Sequence, residues 1–300
     1  RHLPIRHPIP RFFRIKQESQ AEAGSDDLRA AYDRIHSSYD EFWVCEAGKP
    51  VHDLISRLNY NNVYRVIEAG CGTGYATALL AGKLGTDSKV LAVDISEGML
   101  GKARKRIRAL GYTNVRFVAG DALELIKSEG LFDLVFSSWV LGYIPLKPFF
   151  SAAYNALNDS GRLAFIVHRE NSPARELGIF YELVAEDPAV MTKRVVFDFP
   201  RDLIHAREEL EGAGFKIEFI NEGNITFSYE SPEDVLDHLL KSGAGTAFYD
   251  AIDQASRKRL KKRFLDRLAG KNRGSETYDV VHDYVMCIAS KMPRSECRFI

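Results

Sequence analysis

Residues 64–74 read Tyr-Arg-Val-Ile-Glu-Ala-Gly-Cys-Gly-Thr-Gly, and helical periodicity begins at Tyr75. An apolar run entering a glycine-rich turn that opens a helix constrains the fold more than any other stretch. Glycines there allow positive φ and let a ligand approach the backbone. Ligands of open α/β sheets bind at the carboxyl ends of strands. The rest of the first half repeats the theme. Strands are expected at Lys89 to Asp94, Asn114 to Val118, Phe132 to Ser137 and Arg162 to Val167. Helices are expected at Tyr75 to Leu84, Glu97 to Leu110 and Pro148 to Leu157. Such alternation predicts βαβ units and a parallel sheet covered on both faces.

A dinucleotide fingerprint needs G-x-G-x-x-G, and its third glycine would fall at Tyr75, so the spacing fails. Glu68, two residues before Gly70, also sets a carboxylate beside the turn, which repels phosphate and attracts an ammonium. Asp94 ends the second strand, about twenty residues after the turn, where a ribose-binding acid is placed. The alternative reading of Asp94 and Asp121 is as caps of a following helix.

Segment by segment, the chain resembles the class I S-adenosylmethionine (SAM)-dependent methyltransferases, in particular the ubiquinone-, menaquinone- and biotin-pathway types (methyltransferase type 11). Glu68 to Gly74 is similar to their first motif. Val93-Asp94-Ile95-Ser96, Ala119-Gly120-Asp121-Ala122 and Phe132 to Ser138 resemble the ribose, adenine and fourth-strand motifs. Ala31-Tyr32-Asp33 and Ser38-Tyr39-Asp40 look like their N-terminal lid helix, and Arg201 to Phe215 like the helix and turn before the sixth strand. The resemblance spans roughly residues 28 to 220. It implies a Rossmann-like α/β fold: a seven-stranded, mostly parallel sheet whose last strand, Tyr278 to Ala289, is antiparallel, with helices on both faces and a small helical cap. It implies SAM as cofactor, S-adenosylhomocysteine as product, and cofactor binding by Tyr32, Tyr39, Glu68, Ala69, Gly70, Cys71, Gly72, Gly74, Asp94, Ile95, Met99, Asp121, Ala122 and Ser137. Asp94 would hold both ribose hydroxyls and Asp121 the adenine amine. Cys71 is read as a small filler whose backbone meets the cofactor.

Because the sulfonium makes the methyl electrophilic, the protein need only align an acceptor and exclude water. If a base is used, Tyr143 and His168 are the candidates by position, although the histidines many relatives carry near Gly142-Tyr143 are missing. His168 is equally readable as a structural histidine, as is His282, and Asp133, which starts a strand, as structural. No H-E-x-x-H or paired Cys/His cluster is present, so no metal is expected.

The expected organisation is an N-terminal arm and linker (1–27), a core (28–230) with an insertion at 171–200, a helical cap (231–274), and a final strand and tail (275–300). One continuous helix is expected from Asp27 to about Leu58. Tyr32 and Tyr39, seven apart, would then share one face with Leu28, Ile35 and Trp43. Aromatic residues Phe180, Tyr181, Phe197, Phe199, Phe248 and Tyr249 cluster in the insertion and cap. They would either line an apolar acceptor pocket or form the core of the cap.

The stretch 257–273 is an amphipathic helix with a cationic face. It is read as solvated, with docking of an acidic carrier protein as an alternative. Equal numbers of acidic and basic residues, 41 each, exclude a whole-surface basic field, so nucleic acid is not an expected partner. No membrane span is expected, and four scattered cysteines read as free thiols, which with the absence of a secretory signal predicts a cytoplasmic protein. The functional expectation is methyl transfer to O, N or C of a small molecule, a carboxylate or carrier-linked acyl group among them. The alternatives are an RNA or protein methyltransferase, or a SAM-binding protein that uses SAM for other chemistry or for sensing.

Overall fold

The computed structural model describes residues 21–272 and 274–291. The basic arm before residue 21, Arg273 and the tail with Cys297 lie outside the described residues.

Seven strands form one sheet in the order β3-β2-β1-β4-β5-β7-β6. They are β1 (Arg65–Ala69), β2 (Lys89–Asp94), β3 (Val115–Ala119), β4 (Phe132–Ser138), β5 (Leu157–His168), β6 (Phe215–Tyr229) and β7 (Tyr278–Lys291). Pairing is parallel from β3 to β5, and β7 inserts antiparallel between β5 and β6. Two strands exceed their expected length. β5 begins at Leu157 and absorbs the expected end of the preceding helix, while the sequence reads 215–220 as a strand and 226–229 as extended and the structure joins the two in β6, with a register shift between Ile217 and Phe219. Leu157 pairs with Phe132 of β4, whereas β6 is paired along its length with β7, and no local pattern reveals either partner.

Strand parity sorts the core. Val66, Leu134, Phe136, Ala164 and Ile166 face one side, where they pack with α2 (Cys45–Arg57), α3 (Tyr75–Lys83) and α7 (Ala174–Glu186). The same apolar layer includes residues of α9 (Pro232–Lys241) and α11 (Gln254–Lys271). Ile67, Val93, Val135, Leu163 and Phe165 face the other side, against α5 (Ala122–Ser128), α6 (Leu146–Ala156) and α8 (Leu203–Gly212). Because both faces are covered, the central strands are buried almost throughout. Helix starts follow their chemistry: Ser96 Oγ accepts from Met99 N at the start of α4 (Glu97–Ala109), and Ser231 Oγ from Asp234 N at α9, with Pro232 in the first turn.

The chain moves outward from β1 to β3, then returns to β4 beside β1. That reversal opens a crevice at the carboxyl ends of β1 and β4. The turns after these strands, Gly70–Gly74 and Trp139–Pro145, border it. No helix among the described residues is long and apolar enough to cross a membrane.

Candidate active site

The glycine turn is held from below. Gly70, Gly72 and Gly74 have φ of 71°, 52° and 79°. Cys71 N donates to Val93 O at 2.8 Å, tying the turn to β2. A β-carbon on Gly74 would sit 2.8 Å from Ala103 Cβ, so this glycine serves helix packing. Gly72 instead faces open space, and its N–H donates to Asp94 Oδ2 at 2.8 Å. Asp94 Oδ1 accepts from Ser96 N at 2.9 Å. The Asp94 carboxylate is therefore aimed across the turn with one backbone donor on each oxygen and further lone pairs free. Burial pushes its pKa up to about 6, against the pull of those two donors.

A cavity of about 270 Å³ opens over this turn. Of the expected site residues, Tyr32, Tyr39, Gly70, Gly72, Asp94, Ile95, Met99, Asp121, Ala122 and Tyr143 line it. Asp121 also caps α5, accepting from Leu123 N at 2.7 Å through Oδ1. Glu68, Ala69, Cys71, Gly74, Ser137 and His168 are not on its wall. Glu68 is fully buried beneath the turn, where Oε2 accepts from Thr77 Oγ1 at 2.6 Å and Oε1 has no partner. Burial pushes Glu68 up to about 8, so at neutral pH it sits largely protonated rather than as the charged carboxylate beside the turn that the sequence implied. Ser137 points the wrong way by one residue of strand parity. Its hydroxyl donates to Ala69 O at 3.1 Å, while Ser138 lines the cavity. Asp133 is structural: its Oδ2 accepts from Tyr64 N and Arg65 N, each at 2.9 Å.

The N-terminal segment is not one continuous helix. α1 (Ser25–Ile35) ends, a turn follows, and Asp40–Val44 is a π-helical turn leading into α2. Tyr32 and Tyr39 nevertheless both reach the cavity, their rings 6.1 Å apart, and Tyr143 stands 6.2 Å from Tyr32. Trp43 leaves that face and is buried against the sheet. Tyr32 and Tyr39 are each followed by an aspartate to which the sequence analysis gave no role. Asp33 Oδ1 accepts from Ser96 Oγ and from Gly98 N at 3.1 Å, at the start of α4. Asp40 accepts from Thr73 Oγ1 and pairs with Arg106 at 2.7 Å. Each Tyr-Asp pair thus puts a phenol on the cavity and a carboxylate on the glycine turn or the helix behind it. The repeated Tyr-Asp was a visible signal, but the partners lie 33 to 66 residues away.

These ties make a prediction. Asp33→Ala with Asp40→Ala is expected to speed amide exchange across residues 28–45 and to weaken S-adenosylhomocysteine binding about tenfold, leaving β1 and β4 protected. Ligand-induced protection of 28–45 in the parent protein is the companion result. Equal exchange with and without ligand would make the segment a fixed wall.

Neither expected base is poised to take a proton. Burial raises the Tyr143 phenol, and raises Tyr32 and Tyr39 further, so all three stay protonated donors. His168 lies behind the cavity wall, its ring 5.0 Å from Trp139 and 5.2 Å from Trp43. Burial depresses it to about 4. It belongs to a buried cluster in which His238 Nε2 and His282 Nε2 share a hydrogen bond at 2.9 Å.

The cationic face of α11 is also not free. Arg259 pairs with Asp187 at 2.6 Å, Lys271 with Glu182 at 2.9 Å, and Arg263 and Arg267 both with Glu186. Four of the eight described cations of this stretch are therefore paired within the chain by α7 and the residue after it, while Arg257 donates to backbone carbonyls and Lys258, Lys261 and Lys262 remain outside these pairs.

The family described as "Methyltransferase domain" matches residues 61–220, more than half of the chain. A demethylmenaquinone methyltransferase from Symbiobacterium thermophilum is 30% identical over 152 residues, 49% of this chain and 61% of that enzyme. The chain thus spans about three fifths of that relative. A malonyl-[acyl-carrier protein] O-methyltransferase from Marinomonas is 27% identical over 244 residues, 80% of this chain and 84% of that enzyme. In fold, phosphoethanolamine N-methyltransferase 2 of Haemonchus contortus, solved with phosphomonomethylethanolamine and S-adenosylhomocysteine, superposes with a TM-score of 0.51 at 19% identity. The match covers 89% of this chain and 61% of that one. The chain belongs to the methyltransferase-domain family, the class I SAM-dependent methyltransferases. The residues present fit that cofactor: an open glycine, a carboxylate with lone pairs to spare, and neutral phenols at one end of a single cavity.

Proposed function

We propose that the protein transfers the S-methyl group of SAM to a small molecule with an apolar body, its accepting atom held beside Trp139 and Tyr143. The observation that carries this is the mixed wall of one cavity. Gly72, Asp94 and Asp121 supply hydrogen-bonding groups to it, and Trp139, Val140, Tyr143, Ile144 and Phe197 supply apolar and aromatic surface. Asp94 would accept from the ribose hydroxyls, Asp121 through its remaining oxygen from the adenine amine, and Gly72 would let the backbone approach. When bound, SAM supplies an electrophilic methyl through its sulfonium. The phenols of Tyr32 and Tyr39 and the ring of Trp139 shield that end from water, and the aromatic faces favour a nearby cation by about 0.5–2 kcal/mol.

Among the described residues, neither Tyr143 nor His168 takes up a proton at neutral pH. An acceptor that already offers an ionised oxygen, such as a carboxylate, fits this site better than a phenol or a carbon acid. The Marinomonas relative's name, malonyl-carrier O-methyltransferase, is in keeping with a carboxylate acceptor. If a carrier presents it, Lys258, Lys261 and Lys262 are the cations left for docking.

Incubation with methyl-labelled SAM and a metabolite extract, read by mass spectrometry, is expected to move label onto a small carboxylic acid. Saturation with S-adenosylhomocysteine at ~100 times its Kd is expected to stabilise the fold by about 2.7 kcal/mol. A thermal shift with NAD(P) and none with adenosylhomocysteine would overturn the cofactor reading. Label appearing only on RNA or protein would overturn the acceptor class.

A further inference from the structure

A second pocket, of about 70 Å³, lies among α7, α9, α11 and the short helix α10 (Thr246–Asp250). It is lined chiefly by apolar residues, Leu183, Leu236, Leu239, Leu240, Leu260 and Phe264 among them. Its charged neighbours are occupied or turned outward. Glu176 pairs with Arg175 at 2.6 Å, Arg257 donates to the carbonyls of Asp250 and Ile252 at 3.1 Å each, and Lys261 is exposed.

The two pockets share one partition. The α10 segment presents Ala247, Asp250 and Ala251 to the cofactor cavity and Phe248, Tyr249 and Ile252 to the apolar pocket. Phe197, on the cavity wall, meets Tyr143 at 4.8 Å on one side and Phe248 at 5.6 Å on the other, and Phe248 meets Phe180 at 5.2 Å. A seam of rings therefore leads from the place proposed for methyl transfer into the apolar pocket. α10 is one and a half turns long, follows Gly243 (φ 92°) and Gly245, and is tied to the N-terminal segment by the Arg34–Asp250 ion pair. The cofactor cavity is small for its task. About 270 Å³ lies below the ~300–1,000 Å³ of pockets that hold a single drug-sized molecule, and it must take cofactor and acceptor together.

We infer that the apolar pocket receives the hydrocarbon tail of the methyl acceptor, which passes between Phe197 and Phe248 while its polar head stays beside Tyr143. The inference rests on the methyltransferase reading and adds a substrate class to it: an amphiphile with a small accepting head and an unbranched apolar tail.

The probes are straight-chain alkanoates from hexanoate to tetradecanoate, titrated calorimetrically into protein saturated with S-adenosylhomocysteine. Adenosylhomocysteine binding is measured first on every protein, so failure of the cofactor reading shows there and nowhere else. Affinity is expected to rise up to about fourfold per methylene until the pocket is full, then level off. Leu240→Trp, which fills the pocket, is expected to move the plateau to shorter chains while adenosylhomocysteine binding stays as in the parent. No dependence on chain length, or the same dependence in Leu240→Trp, would overturn the inference.

A second measurement needs no variant. Dodecanoate with a diazirine at its terminal carbon is expected to label α7 or α11. Dodecanoate with the diazirine next to the carboxylate is expected to label residues 139–144 or 193–197. Terminal label confined to the cofactor cavity, or head label on Arg257 or Lys261, would overturn it.

Discussion

Asp94→Ala is expected to lower affinity for S-adenosylhomocysteine at least tenfold, and by a hundredfold or more if both ribose hydroxyls donate to this carboxylate. Hydrogen bonds to a charged group are worth roughly 1.5–3 kcal/mol each, and each 1.4 kcal/mol is a factor of ten. Folding should survive. The substitution takes an acceptor from Gly72 N and Ser96 N, but it also removes a carboxylate that burial holds at about 6, well above its ordinary range. A carboxyl whose folded pKa is raised favours the fold when protonated, so its ionisation costs stability as pH rises from about 4 through 6. At neutral pH that cost is present and Ala relieves it. The ligand has the opposite sign. Hydroxyl donors prefer the ionised carboxylate, so affinity in the parent protein should fall as pH drops through 6, with proton release on binding. Calorimetry at pH 5 and 7.5, in two buffers of different ionisation heat, checks all three outcomes. Unchanged affinity in Asp94→Ala would reassign the residue to holding the glycine turn alone.

What the sequence revealed, and what it concealed, divides along the range of the interactions involved. β1, its turn and the flanking strands were legible because their signals are local: buried runs and glycines at fixed spacing. The places of Asp94 and Gly72 on the cavity wall were legible for the same reason. The residues that went astray depend on longer reach or finer parity. Ser137 and Ser138 are chemically identical neighbours, and only the register of β4 against β1 sends one to Ala69 O and the other to the cavity. Glu68 was rightly placed in the chain, but its burial comes from α3, whose Thr77 covers it. The cations of α11 looked free because their acids, Glu182, Glu186 and Asp187, lie 72 to 89 positions away. His168 sits at the end of β5 as expected, yet Trp43 and Trp139 close around it. The fold class therefore followed from patterning, whereas the wall of the cavity was decided by contacts between segments.

The sharpest separation between holding the turn and holding the cofactor comes from two neighbouring glycines. Both have positive φ, so alanine at either costs about 1–2 kcal/mol of backbone strain. They differ in what a methyl would meet. At Gly70 it would lie 2.6 Å from Val140 Cβ, inside contact distance of a β-branched residue in the turn after β4. Val140 cannot rotate away without moving its own backbone, so overpacking adds about 1–3 kcal/mol, and Gly70→Ala should lose several degrees or more in Tm. At Gly72 nothing lies within 4 Å, because the position opens on the cavity. Gly72→Ala should therefore stay folded with only the strain cost, while its methyl occupies space the cofactor needs. Adenosylhomocysteine binding is expected to drop a hundredfold or more although the thermal transition moves little. Thermal denaturation and titration on the same two variants give four numbers. The expected order is reversed between the two measurements when binding is counted per folded molecule: Gly70→Ala is the more damaging to stability, Gly72→Ala the purer loss of binding. Parent-like affinity in Gly72→Ala would show that the ligand does not approach the backbone there, and the placement of the cofactor over this turn would fail.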